Sequence, residues 1–295
     1  MKKVAFILIA VFALTSCGVF KAKNYPLYHA GEPTAPEYTP EGIVEAHVYP
    51  CSVEGPSHRR MIVYLPAEYY RSTEKYPVFY LLHGARGHET AWVKKSDVLK
   101  ITDSLWHTGN AEKCIVVMPN VNQYDDDEDQ DDSRYKDCFE SIFEIDGAVE
   151  SAFVRDVVGY VDSHFRTIPS KESRAVAGLS VGALQSLFLS ANNPCEFGYV
   201  GLFSPMCGIV RKKGPYNSFY SNRDQKMSEQ FAPGQEPCGY YIYTGKADFL
   251  RRQATVFSRS MTRKGYNNIF ILSEGGHEWY NWNDYYRDML GRVFH

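Results

Sequence analysis

The chain has 295 residues, enough for one large domain or two small ones. It is 44% hydrophobic and 15% aromatic, the composition of a chain that buries a core. A formal net charge of −3 with no basic block leaves no face to attract phosphates, so nucleic acid is excluded as an expected partner.

In chain order, the first element is an address. Lys2 and Lys3 supply positive charge, and Val4 to Leu14 is an apolar run of 11 residues. About 20 apolar residues are needed to span a bilayer, so the run fits the middle of a secretory signal rather than a membrane helix. It ends in LTSC, which resembles the bacterial lipobox, whose cysteine is diacylated and becomes the first residue after cleavage. Residues 1–16 are therefore expected to be a signal peptide. Cys17 is expected to be a lipid anchor, tying an exported protein to a membrane in the periplasm or at the cell surface. The plainer alternative is an ordinary signal peptide in which Cys17 is incidental. Residues 17–41, rich in Pro, Gly, Thr and Tyr and without periodicity, read as a tether. The folded domain is expected over 42–295, beginning at GIVEAHVYP.

Seven stretches then read as strands: HRRMIVYLP (58–66), YPVFYLLHG (76–84), CIVVMPN (114–120), RAVAGL (174–179), YVGLFS (199–204), GYYIYTG (239–245) and NIFILSE (268–274). Several are nearly continuous apolar runs, as strands covered on both faces require. Helical spacing lies between them. Residues 147–165 place Val149, Phe153, Val157 and Val161 on one face, and Ser180 to Ala191 and Phe249 to Lys264 are two further candidates. The alternation predicts an α/β fold with a mostly parallel central sheet flanked by helices on both faces, whose active site gathers at the carboxyl ends of the strands. Residues 125–132, DDDEDQDD, are read as a solvated loop rather than a calcium site, because the glycine and terminal glutamate of an EF-hand loop are missing. Beyond Cys17 there are six cysteines. Export permits disulfides among them, no CxxC pair supports a zinc or redox site, and Cys114 reads as a small buried hydrophobe.

The chemistry concentrates at Gly178-Leu179-Ser180-Val181-Gly182, a G-x-S-x-G between a strand-like and a helix-like run. A serine at a strand-to-helix apex needs glycine two residues to either side, because side chains there collide. A capping serine in a glycine-rich turn is the alternative. Serine needs a base, and in an α/β-hydrolase the order along the chain is Ser, acid, His. Only His277 and His295 follow Ser180, and His295 is terminal, so His277 in SEGGHEW is the expected base. Among Glu196, Asp224, Glu229, Glu236, Asp248 and Glu274, only Asp248 and Glu274 closely follow a strand. Glu274 is too near His277 on the same loop, so Asp248 is the expected acid, with a helix cap as its alternative role. The backbone N–H groups of Val181 and Ala85 are the expected oxyanion donors. His83 is expected to shape its loop rather than act as a base. Trp92, Tyr124, Trp279 and Trp282 are candidate substrate contacts, against a default of core packing.

These motifs, with RRMIVYLPAEYYRSTEKYPVFYLLHG, VVMPN, DVVGYVDSHFRTI, AVAGLSVGA and GGHEW, resemble the esterase-D-like branch of the α/β-hydrolases over roughly residues 42–293. That branch includes feruloyl and acetylxylan esterases, S-formylglutathione hydrolase, siderophore esterases and mycolyltransferases. The resemblance implies Ser180, Asp248 and His277 as a triad and Ala85 and Val181 as oxyanion donors. Two departures are Val181-Gly182-Ala183, where many members read Met-Gly-Gly, and the acidic run at 125–132. The expectation is a serine esterase without cofactor or metal, acting on carbohydrate-linked acetyl or feruloyl esters. The rivals are a glycan-binding lipoprotein on the same fold and a serine peptidase.

Overall fold

The structure is a computed structural model that describes residues 38–53, 58–85, 87–122, 145, 147–207 and 216–295. The expected signal segment, Cys17, most of the expected tether, Tyr124, Cys138 and the acidic run 125–132 lie outside the described residues. The chain divides into two units, Met1–Thr39 and Pro40–His295, and the strands and helices of the described residues belong to the second.

Among the described residues, eight strands form one sheet: β1 (Ile43–Pro50), β2 (His58–Leu65), β3 (Val78–Leu82), β4 (Ile115–Pro119), β5 (Arg174–Leu179), β6 (Tyr199–Phe203), β7 (Gly239–Gly245) and β8 (Ile269–Ser273). Their order is β1-β2-β4-β3-β5-β6-β7-β8. β2 runs antiparallel to β1 and β4, and every other pairing is parallel. This is the expected α/β-hydrolase arrangement, and it puts the ends of β3, β5, β6 and β7 side by side.

Side chains alternate between two cores, one on each face. Val78, Tyr80 and Leu82 of β3 enter one, and Phe79 and Leu81 enter the other. Helices α1 (Ala91–Lys95), α2 (Val98–Thr108) and α8 (Trp279–Leu290) cover the second face. Helices α3 (Ala148–Phe153), α4 (Gly159–His164), α5 (Val181–Asn192), α6 (Arg223–Gln230) and α7 (Arg251–Arg263) cover the first. The central strands β3, β4 and β5 are buried on both faces, which is why they read as unbroken apolar runs. Cys114 is fully buried, and burial pushes its thiol well up, as a small core hydrophobe requires.

Two features depart from the sequence reading. β1 is a strand of eight residues, where only a domain start was expected. Its alternation is blurred: Val44, Ala46 and Val48 face solvent, while Glu45 and His47 lie half-buried and paired at 2.7 Å. The second is a π-turn, Val154–Val158, between α3 and α4. Fourfold spacing over-rotates by about 40° per step on an α-helix of 3.6 residues per turn. The wider turn absorbs that surplus, and Val149, Phe153, Val157 and Val161 all stay buried.

Candidate active site

Ser180 stands between the last residue of β5 and the first of α5, with φ 56° and ψ −110°. Such a backbone costs on the order of 1–3 kcal/mol and persists only where its surroundings hold it. Here they do. The Ser180 N–H donates to Phe203 O at 2.8 Å, extending the β5–β6 ladder to the apex. The glycines serve as the sequence argument required. A Cβ on Gly178 would lie 2.6 Å from the Gly182 carbonyl carbon, and one on Gly182 would lie 2.2 Å from His83 O. The start of α5 is therefore pressed against the end of β3, beside the loop that carries Ala85.

Val181 is the first residue of α5, so its N–H has no carbonyl within the helix to take it. Ala85 is exposed in the turn after β3, where the Gly87 N–H donates to Gly84 O at 3.1 Å. His83 shapes that loop, as expected. It is 3% exposed. The Val121 N–H donates to its Nε2 at 3.1 Å, so Nδ1 carries the proton and donates to Gly84 O at 2.8 Å. Burial pushes the imidazole down to about 4, so it stays neutral.

Asp248 follows β7, and His277 follows β8. The loop of His277 folds back over the end of β7: the Lys246 N–H donates to Ser273 O at 2.9 Å and the Ala247 N–H to Gly275 O at 2.8 Å. Asn281 holds it there, its amide donating to Glu274 O at 2.7 Å. The His277 Nδ1 then lies 3.2 Å from both carboxylate oxygens of Asp248, which leaves Nε2 for another partner. Asp248 also accepts the Leu250 N–H at 2.7 Å, so its capping and histidine-facing roles coexist. Burial pushes this carboxyl up, but hydrogen bonds and the charge of His277 outweigh that and hold it below its usual value.

The aromatic candidates separate. Trp92, expected at the substrate, is a core residue: it is 1% exposed and its indole N–H donates to Leu82 O at 3.1 Å. Helix α1 turns the ring inward over the end of β3, leaving it no surface to offer a ligand. Trp279 is half-buried and meets Trp92 and Trp282 edge to face at 5.3 and 5.1 Å. Trp282 is buried with its ring 5.1 Å from that of His277, at 89°. The residue the sequence reading missed is Phe249. It is 48% exposed, and its ring centroid is 4.5 Å from that of His277. Its place directly after the acid was the available signal.

A family model described as "Putative esterase" matches residues 52–293. Among curated relatives, the endo-1,4-beta-xylanase/feruloyl esterase of Xylanibacter ruminicola is 33% identical over 147 residues, 48% of this chain and 19% of that protein. The chain thus matches about a fifth of that relative's length. The S-formylglutathione hydrolase of Bos taurus is 26% identical over 254 residues, covering 78% of this chain and 86% of that one. Among solved structures, a ferulic acid esterase from the anaerobic fungus Anaeromyces mucronatus superposes with a TM-score of 0.71 at 22% identity, covering 88% of this chain and 92% of the other. That likeness is one of fold.

Proposed function

The chain belongs to the esterase family, whose model spans residues 52–293, and from that premise we propose a serine carboxylic ester hydrolase in which Ser180, His277 and Asp248 are nucleophile, base and acid. The observation that carries the reading is the His277 Nδ1 held 3.2 Å from both Asp248 oxygens, at the carboxyl end of the strands, the same end at which Ser180 sits on its strained apex. Asp248 fixes the tautomer, and Nε2 takes the Ser180 proton as Oγ attacks the ester carbonyl. The oxyanion that forms is met by the N–H groups of Val181 and Ala85. The C–O bond to the alcohol then breaks as the imidazolium returns the proton to the leaving oxygen. Water, deprotonated by the same histidine, releases the acid from Ser180.

The substrate class is proposed as carbohydrate-linked feruloyl or acetyl esters, supported by the feruloyl esterase relatives. Groups packed on His277 flank the leaving alcohol, because this ring delivers its proton. Phe249 offers an exposed aromatic face there, suited to the apolar face of a sugar. Export, and membrane attachment through a lipid on Cys17, belong to the same proposal and rest on the LTSC pattern. The test is labelling by a fluorophosphonate probe, followed by hydrolysis of feruloyl-arabinose and acetylated xylose. The intact protein should label and hydrolyse, and Ser180→Ala should do neither. Labelling that survived in Ser180→Ala would overturn the nucleophile.

A further inference from the structure

Directly after β6, at the midpoint between the serine apex and the acid, lies Ser204. It is fully buried, with φ 50°, a left-handed conformation in which glycine is relaxed and serine is not. Its backbone N–H donates to Tyr243 O at 2.8 Å, fixing it to the end of β7. Its hydroxyl accepts the Trp282 indole N–H at 3.1 Å and lies beside the Asp248 carboxyl, which it helps hold below its usual value. An indole N–H can only donate, so the Ser204 hydroxyl accepts from Trp282 and keeps its own proton for the carboxylate beside it. Trp282 also packs its ring against the His277 imidazole at 5.1 Å. One indole therefore touches the histidine directly and the acid through Ser204.

We propose that Ser204 and Trp282 are a positioning pair that orients the Asp248 carboxylate toward His277, a role that rests on the triad reading above. His277 and the Leu250 N–H hold the carboxylate by hydrogen bonds, and the buried Ser204 hydroxyl is the third polar group beside it. The strain at φ 50° makes sense on this account, since glycine would relax the backbone but lose the hydroxyl. Tyr285, the other ionisable group beside Asp248, is held up chiefly by burial and stays protonated.

The experiment compares Ser204→Gly, Ser204→Ala and Trp282→Phe on methyl ferulate. Rates are normalised to sites titrated with the fluorophosphonate. Each variant should lower kcat by about 10- to 100-fold, the size of a lost hydrogen bond to a charged group. KM should stay within about twofold, since the pair touches no substrate. The acid limb of the pH profile should move to higher pH. A carboxylate short of one donor is protonated more readily and holds an imidazolium more tightly, and both changes act in that direction. The double variant Ser204→Gly/Trp282→Phe should fall no further than Ser204→Gly alone, because both changes break one chain. Wild-type kcat and pH profile in Ser204→Gly would overturn the proposal and leave Ser204 as a mere left-handed turn. A drop in titrated sites with an unmoved acid limb would overturn it equally. Failure of the intact protein to label would bring down the triad reading and this pair together, whereas normal labelling with an indifferent Ser204→Gly sinks the pair alone.

Discussion

The two residues whose protonation the fold controls most firmly near the site are His83 and Asp248. An imidazole in the unfolded chain takes up its proton near pH 6.5, but burial holds His83 at about 4. The unfolded state therefore binds more protons between pH 6.5 and 4, and stability must fall with pH across that window. At its acid end the loss is on the order of 3 kcal/mol. His83→Gln should flatten this slope, measured as urea midpoints at pH 7 and pH 4.5, and an unchanged slope would clear His83 of the effect. Asp248 is held below its ordinary value, so its contribution is present above the unfolded value and disappears as pH falls through the lowered one. Asp248→Asn keeps the shape but presents an amide to the imidazole, and kcat should fall by about 10⁴ with the wrong tautomer held. A loss under tenfold would count against its role as acid.

At the scale of elements, the elbow was readable because sterics dictate residue type there. A Cβ added at Gly178 or Gly182 would meet backbone atoms at 2.6 and 2.2 Å, so no other residue fits. Gly182→Ala should push α5 off the end of β3, shifting Val181 relative to the Ala85 loop. Misplacement by about 1 Å costs some 100-fold, so kcat/KM should drop at least that far while circular dichroism stays native. A normal rate would mean the apex tolerates that displacement. The pairing of Asp248 with His277 was readable because the partner of that imidazole had to follow a strand between Ser180 and His277. β1 was not, because Val44, Ala46 and Val48 face outward while the Glu45–His47 pair shares the inward face with Ile43 and Tyr49, which blurs the alternation that marks a half-buried strand. Trp92 was misread for a related reason: spacing does not say which way an aromatic in a loop will turn, and here a short helix turned it into the core. The π-turn left no mark either, since fourfold spacing looks the same with or without it.

At the scale of the whole molecule, the catalytic unit starts where its first residues are tied down. The Glu41 N–H donates to Asp103 at 2.9 Å and the Gly42 N–H to the Tyr64 hydroxyl at 3.0 Å. A chain beginning at Tyr38 should therefore fold with an unchanged melting temperature and label as fast as the full chain. A shift beyond about 4 °C, roughly 1–2 kcal/mol in a protein of this size, would give the first 37 residues a part in stability. Cys17→Ser should move the protein from the membrane fraction to the soluble one, and a variant that stays with the membrane would refute lipid attachment. The strand order also sets a schedule. Ser180 hangs from the middle of the sheet, but His277 arrives just after β8, an outermost strand with β7 as its one partner among the described residues and with Ile269 and Leu272 nearly half exposed. A growing polypeptide thus holds its proposed nucleophile about 100 residues before its proposed base, and on that reading it stays chemically silent until the last strand docks. An outer strand with one partner can peel away without the central sheet, so hydrolysis should vanish in urea well before the far-ultraviolet signal does.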